Sequence, residues 1–344
     1  MNEKVLLGMS GGVDSSTSAI LLKEKGYEVI GCTMILHGGE KQAIKDAKKV
    51  CEKLGIEHII YDLQNEFKCM VIQNFIREYM NAKTPNPCVE CNKKIKFEKF
   101  YEKAKELGCN YIATGHYAKV EYSKKYKQYV LKKSNEEKKD QTYFLYTIPK
   151  EEISHIIFPL QDYNSKEEIR KVAKENELQV ASKKDSQEVC FIPENDYQKF
   201  LLQNMDKLPK KGNIRLKTGE ILGKHNGLIN YTIGQRKGLG VSYKYPLYVL
   251  ELDVKNNEVI VGKEENLYSD KLFANNLNWQ VDVGEKIECF AKIRYRSKEA
   301  KAKVIKEENG VEVIFETPQR AITKGQSVVF YDEDGIVLGG GIIT

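Results

Sequence analysis

Ser10-Gly11-Gly12-Val13-Asp14-Ser15 follows the apolar run Val5-Leu6-Leu7-Gly8-Met9 and leads into Ser16-Thr17-Ser18-Ala19-Ile20-Leu21-Leu22. A strand, a glycine turn and a helix start fall within that stretch, an arrangement that cradles phosphate. Gly11 and Gly12 let the backbone approach an oxyanion, while helix-start N–H groups and the hydroxyls of Ser10, Ser15 and Ser16 donate to it. A Walker A loop would carry a lysine after its last glycine; this segment carries Asp14. A carboxylate beside phosphate is repulsive unless a divalent cation lies between them. The residues therefore point to Mg²⁺ and to a nucleotide cleaved between its α and β phosphates.

Sulfur is the second source of chemistry. Thr84-Pro85-Asn86-Pro87-Cys88-Val89-Glu90-Cys91-Asn92-Lys93 reads as a loop between two helices, stiffened by its prolines, and cysteines on a rigid loop are candidates for chemistry. Asp185-Ser186-Gln187-Glu188-Val189-Cys190-Phe191-Ile192 sets another cysteine between a polar loop and an apolar strand. Cys32, Cys51, Cys69, Cys109 and Cys289 sit in apolar periodic contexts, which predict buried small hydrophobes. Met1-Asn2-Glu3-Lys4 runs straight into the first strand, so no signal peptide is expected. With that start, eight cysteines predict a reducing, cytoplasmic setting, where unusual cysteine spacing means catalysis or metal before structural disulfides.

The elements that must position these groups follow from hydrophobic period. Short apolar runs at Val5 to Met9, Glu28 to Met34, Glu57 to Asp62 and Tyr111 to Thr114 read as strands. Helices fit between them at Ser15 to Lys25, Gln42 to Leu54, Phe67 to Met80 and Lys94 to Leu107, three of them stopped by Gly26, Gly55 and Gly108. The alternation predicts a doubly wound parallel α/β sheet, whose ligands sit at the carboxyl ends of the strands. The glycine loop, Met34 and Thr114-Gly115-His116 all lie at such ends.

Lys119 to Lys133 reads as an exposed hairpin and Ser165 to Glu175 as an amphipathic helix. After Pro209, short alternating strands with turn signals at Asn256-Asn257, Asn309-Gly310 and Asp334-Gly335 predict all-β structure. The expected units are a catalytic domain over 1–207, a small β-rich connecting domain over 208–270 and a C-terminal β-barrel over 271–344. No apolar stretch approaches the roughly 20 residues that span a bilayer. The formal charge of +6 is mildly basic and permits a nucleic-acid partner. Lysines crowd 124–139, and Arg294, Arg296, Lys298, Lys301 and Lys303 crowd a second segment.

The glycine loop resembles the PP-loop of the ATP pyrophosphatase superfamily, of the adenine nucleotide alpha hydrolase-like fold. Taken with TPNPxxxCNKxIKF at Thr84 to Phe97, ATGHYA at Ala113 to Ala118, KDQTYFL at Lys139 to Leu145, DSxxxCFI at Asp185 to Ile192 and NYTIGQRKGLG at Asn230 to Gly240, the chain resembles the tRNA-specific 2-thiouridylases over nearly its whole length. That resemblance implies exchange of oxygen for sulfur at C2 of the wobble uridine. A uracil carbonyl oxygen leaves badly, and adenylation by ATP makes it a leaving group. The resemblance assigns ATP to Gly8, Met9, Ser10, Gly11, Gly12, Val13, Asp14, Ser15, Met34 and Gly115. It makes Cys190 the carrier of a persulfide received from a donor such as a cysteine desulfurase or sulfur relay protein. Cys91 is then the nucleophile that releases the outer sulfur, leaving a transient Cys91–Cys190 disulfide.

The target base is assigned to Asn86, Pro87 and Cys88, and tRNA contacts to His116, Lys139, Asp140, Gln141, Arg294, Tyr295 and Gln326. Cys88 departs from the aspartate found there in many members, so an acid/base role for that carboxylate does not transfer. Cys88, Cys91 and Cys190 supply three thiolates instead, and an alternative is a [4Fe–4S] cluster with one iron open to hydrosulfide. Gln235-Arg236-Lys237-Gly238 is a further basic candidate for the tRNA backbone. Two rival readings remain: a PP-loop ligase or amidotransferase acting on a small molecule, and a non-catalytic RNA-binding protein on a relic nucleotide fold.

Overall fold

A computed structural model describes residues 3–182, 189–205 and 207–344. Five parallel strands form the first sheet in the order β3-β2-β1-β4-β7: β1 Lys4–Gly8, β2 Glu28–Ile35, β3 Glu57–Asp62, β4 Tyr111–Ala113 and β7 Ile156–Ile157. Alternation along β1 sorts its side chains onto two cores. Val5 and Leu7 pack with Ala19, Ile20 and Leu22 of α1 (Val13–Glu24) and Val50 of α2 (Lys41–Leu54). Leu6 faces the other way, onto Phe97 and Phe100. The sheet is covered on both faces, as the doubly wound expectation requires.

Two helices differ from their predicted form. Helix α3 spans 64–80 and carries a π turn at Lys68–Ile72. Helix α4 spans 87–106, with a π segment at Asn92–Lys99. Pro87 to Lys93 is therefore helix, where the two prolines had suggested a loop. The local reason is that Asn86 caps the helix, its Oδ1 accepting from the Cys88 N–H at 3.1 Å, and Pro87 takes the first helical position, where its missing N–H costs nothing.

The hairpin of β5 (Lys119–Ser123) and β6 (Gln128–Lys132) is exposed only in part, since the adjacent Val130 and Leu131 point to opposite faces and are buried in two different cores. Helix α5 (Lys166–Glu175) starts at a Ser165 cap whose Oγ accepts from the Glu168 N–H. Helix α6 covers Tyr197–Asn204. Of the five cysteines expected to be buried, Cys32, Cys51 and Cys289 are; Cys69 is exposed and Cys109 half-buried. Phe191 and Ile192 lead into a 3₁₀ turn and not a strand, their side chains held by Phe67 and Phe75. Asp185 to Glu188 lie outside the described residues.

Strands β8 (Gly212–Leu216), β9 (Ile221–His225), β10 (Tyr248–Asp253) and β11 (Glu258–Gly262) form a second sheet, ordered β10-β11-β8-β9. A closed six-stranded barrel follows, with β12 Tyr268–Trp279, β13 Lys286–Lys292, β14 Ala300–Glu307, β15 Gly310–Arg320, β16 Ser327–Tyr331 and β17 Val337–Ile343 in the order β12-β15-β14-β13-β16-β17. It is welded to the first unit by buried tyrosines: the Tyr143 hydroxyl donates to the Ser327 carbonyl at 2.9 Å, and the Tyr146 hydroxyl meets Ser327 Oγ at 3.1 Å. Val329, Tyr331 and Val337 join the same core as Leu6.

Replacing Tyr143 with Phe keeps the packing and leaves a buried carbonyl without its donor. The expected loss is about 1–2 kcal/mol of stability, read as a lower urea midpoint at unchanged slope.

Candidate active site

The glycine loop runs from the end of β1 into α1. Its shape is set from below: Gly11 has φ +65°, and a Cβ there would sit 2.5 Å from the Ala43 carbonyl oxygen of α2. Gly12 occupies the N-cap of α1 with no side-chain cap, so the first N–H groups of the helix face the crevice for a ligand. Ser10 is exposed at the rim, its N–H donating to Ser15 Oγ at 3.2 Å. Ser15 and Ser16, expected as phosphate donors, are buried and give their hydroxyls to the Gly12 carbonyl at 3.2 and 2.8 Å. These hydrogen bonds hold the loop. Gly115, at the end of β4, comes so close that a Cβ would lie 3.0 Å from Asp14 C and Ser15 N. Gly8, Met34 and Gly115 thus converge at the base of one crevice, with Met9 and Val13 buried beneath it.

Asp14 already has partners that the sequence did not reveal. Lys166 Nζ lies 2.5 Å from both carboxylate oxygens, and the Tyr117 hydroxyl donates to Oδ1 at 2.8 Å. Lys166 is buried at the first position of α5, and its ammonium sits over the Tyr117 ring. The separation of 152 positions between Asp14 and Lys166 is why local spacing carried no signal. A carboxylate gathered by a cation and a hydroxyl, at the mouth of an uncapped helix, fits the anion-plus-cation chemistry expected for nucleotide and Mg²⁺.

The sulfur groups meet on the other side of the crevice. Cys91 is buried among Phe67, Phe75, Ile95 and Phe191, which also brings the 189–192 segment onto α4. Cys88 and Cys190 are exposed. Burial pushes the Cys91 thiol up to about 12, and the neighbouring Cys190 and Cys88 push it the same way. Partial desolvation of the sulfur atoms also raises Cys88 and Cys190, although both residues keep exposed surface. Lys96, on the π segment, opposes that shift at all three sulfurs. All eight thiols are free. Among the described residues no three Cys, His, Asp or Glu side chains are grouped so as to hold a metal ion.

The residues assigned to RNA divide into two sets. His116 Nδ1 pairs with Thr114 Oγ1 at 2.7 Å, and its ring packs on Phe97; burial, then Lys96, holds its pKa well below the usual histidine value. Asp140 is buried, accepting from the Ser134 N–H and the Thr142 hydroxyl, and Gln141 Oε1 accepts from the Tyr117 N–H. Arg294 donates to the carbonyls of Ile233 and Ala321 and to Thr323 Oγ1, tying the second sheet's unit to the barrel. Gln326 donates to the Thr84 carbonyl at 2.7 Å. These five are engaged inside the protein. Tyr295 is half-buried against Phe144, with ring centroids 4.4 Å apart, and Lys139 is half-buried. Arg236, Lys237, Arg296, Lys298 and Lys301 are exposed. In the lysine-rich hairpin, Lys125, Lys132 and Lys133 pair with Asp332, Glu121 and Glu299, which leaves Lys124, Lys127 and Lys138 as its exposed cations outside those pairs.

A parallel sheet with an uncapped glycine loop at the end of its central strand, and an acid in that loop, defines an α/β nucleotide-binding protein of the PP-loop kind. The family model described as the tRNA methyl transferase HUP domain matches residues 3–194. The models described as its PRC-barrel domain and as an aminomethyltransferase β-barrel domain match 198–263 and 269–343. The chain is 48% identical to the tRNA-specific 2-thiouridylase MnmA of Clostridium botulinum (strain Alaska E43), covering 99% of this chain and 98% of that one. It is 49% identical to the protein of the same name from Acetivibrio thermocellus, over 99% of each. The chain belongs to the tRNA-specific 2-thiouridylase family.

The depressed pKa of His116 gives a sign-defined pH effect. Below the unfolded value of about 6.5 the unfolded chain binds a proton that folded His116 refuses, so this group contributes a loss of stability as pH falls through that range. Histidine-selective NMR is expected to show His116 still neutral at pH values that protonate an exposed histidine; a titration midpoint near 6.5 contradicts the burial argument.

Proposed function

We infer that the chain is an ATP-dependent tRNA uridine 2-sulfurtransferase, converting ATP to AMP and pyrophosphate. The observation that carries this is that an uncapped, acid-bearing glycine loop and the Cys91 cluster share one neighbour, Met34, which lies against Gly8 and packs on the apolar cluster holding Cys91. A small-molecule ligase would use the loop and leave the cysteines without a task. A relic fold that only binds RNA would not need the Asp14–Lys166 pair.

In this reading the helix-start N–H groups and Ser10 bind the phosphates, and Met34, Gly8 and Gly115 shape the adenosine side. Mg²⁺ at Asp14 supplies neutralisation between carboxylate and phosphate, and Lys166 is a second cation organised by the same carboxylate. The uridine C2 oxygen attacks the α-phosphate and pyrophosphate leaves. Cys190 carries a persulfide received from a donor protein. The Cys91 thiolate attacks its inner sulfur, the released hydrosulfide adds at C2, and AMP departs with the oxygen; a Cys91–Cys190 disulfide remains for a reductant to open.

Asn86, Pro87 and Cys88, at the first turn of α4, border the base. His116, Lys139, Asp140, Gln141, Arg294, Tyr295 and Gln326 contact the tRNA in this reading, with exposed Arg236, Lys237, Arg296, Lys298 and Lys301 extending the RNA-facing surface. Units of 1–207, 208–270 and 271–344 then act as catalyst, connector and RNA clamp.

Mass spectrometry of digested tRNA tests the chemistry. With ATP and a persulfide source, Cys91→Ser and Cys190→Ser are expected to yield no thionucleoside, and wild-type yields from both would overturn the reading. Asp14→Asn is expected to slow tRNA-dependent pyrophosphate release by about 10²–10³-fold. Arg236→Ala is expected to weaken tRNA binding across sequences and lower the salt slope by about 1.

A further inference from the structure

The ion pair at the glycine loop is tighter than neutralisation alone requires. Lys166 is the first residue of α5, and that helix is fixed against α1 where Thr17 Oγ1 donates to the Ile169 carbonyl at 3.4 Å. Only 8% of Lys166 is exposed, and its ammonium lies 5.7 Å from the centre of the Tyr117 ring. Nζ stands 2.5 Å from each oxygen of Asp14, and the Tyr117 hydroxyl donates to Oδ1 at 2.8 Å. The chain's own cation thus spans both oxygens of the carboxylate.

This arrangement has an electrostatic consequence for a divalent cation. The charges of Asp14 and Lys166 cancel, so the pair exerts little pull on a free dication, and a dication brought to the carboxylate meets the ammonium's repulsion at close range. Asp14 is the second residue of α1, in the first turn, where the positive end of the helix dipole opposes a bare cation as well. A polyphosphate reverses the balance. It offers Lys166 a second anion and gives the uncapped N–H groups their acceptor, and Mg²⁺ is characteristically held by one or two carboxylates together with phosphate oxygens.

We propose that Lys166 closes Asp14 to a free divalent cation, so that the carboxylate accepts metal only together with a nucleotide whose phosphates draw the ammonium away. It rests on the nucleotide reading above and is independent of the sulfur chemistry. Lys166 acts here through Asp14 and is a positioning residue. Its side chain is the moving part: the stem is anchored by α5, and the ammonium changes partner from carboxylate to phosphate.

The test measures Mn²⁺ binding to the full chain by equilibrium dialysis, without tRNA or turnover. Without nucleotide, the parent and Asp14→Asn are expected to bind Mn²⁺ equally weakly. Lys166→Met is expected to bind it about tenfold more tightly than the parent, and the Asp14→Asn, Lys166→Met double variant to lose that gain. A gain of binding is not what a damaged fold produces, and Lys166→Gln serves as a second neutral variant. Tighter binding by the parent than by Asp14→Asn overturns the proposal, as does a folded neutral variant that shows no gain. If neither neutral variant folds, the comparison of parent with Asp14→Asn decides it. In a second arm, the Mn²⁺ complex of α,β-methylene-ATP is expected to be held more tightly by the parent than by Asp14→Asn. Equal retention there removes the nucleotide reading and the proposal with it, whereas failure in the metal-only arm leaves that reading standing.

Discussion

Everything in the catalytic unit depends on how closely β4 approaches the glycine loop. Strands β1 and β4 are neighbours in the sheet, yet their helices cover opposite faces, so a crevice opens beyond their carboxyl ends. Gly115 lets the two ends come within van der Waals contact of Asp14 and Ser15. Any side chain at 115 would have to push the loop away. The same approach delivers Tyr117 to Asp14 and His116 to the face of α4, so one glycine aligns the nucleotide and sulfur sides of the site.

The two sides are built by opposite strategies. At the loop, uncapped backbone donors and a half-buried acid are organised in advance, with Lys166 balancing the charge of Asp14. At Cys91, an apolar setting of aromatic rings favours the protonated thiol. Protonated thiols resist stray oxidation and premature exchange, because the thiolate is the reactive form. The sulfur side is quiet at rest and the phosphate side is ready.

Much of this was legible in the sequence. The strand-turn-helix around Gly11 and Gly12 announced itself because all its parts lie within a few residues, and the two-residue period of Val5, Leu6 and Leu7 sorted the cores correctly. Cys88 and Cys91 were found, but their setting was misread: two prolines suggested a loop, whereas Asn86 and Pro87 are a helix cap and first turn. Lys166 was invisible because its partner is 152 positions away. Asp140, Arg294 and Gln326, assigned to RNA by resemblance, also make internal hydrogen bonds, and those of Arg294 and Gln326 cross long stretches of chain, which no local motif displays.

The stitch between the barrel and Thr84 has a mechanical meaning. The Thr84 N–H donates to the Lys324 carbonyl at 2.9 Å, and Gln326 donates back to the Thr84 carbonyl. Only Pro85 lies between that anchored residue and the Asn86 cap. Two proline rings stiffen the link, so the barrel and the start of α4 keep a fixed separation. In the function proposed above, a nucleic acid seated on the barrel would be measured off against the sulfur atoms by a ruler three residues long.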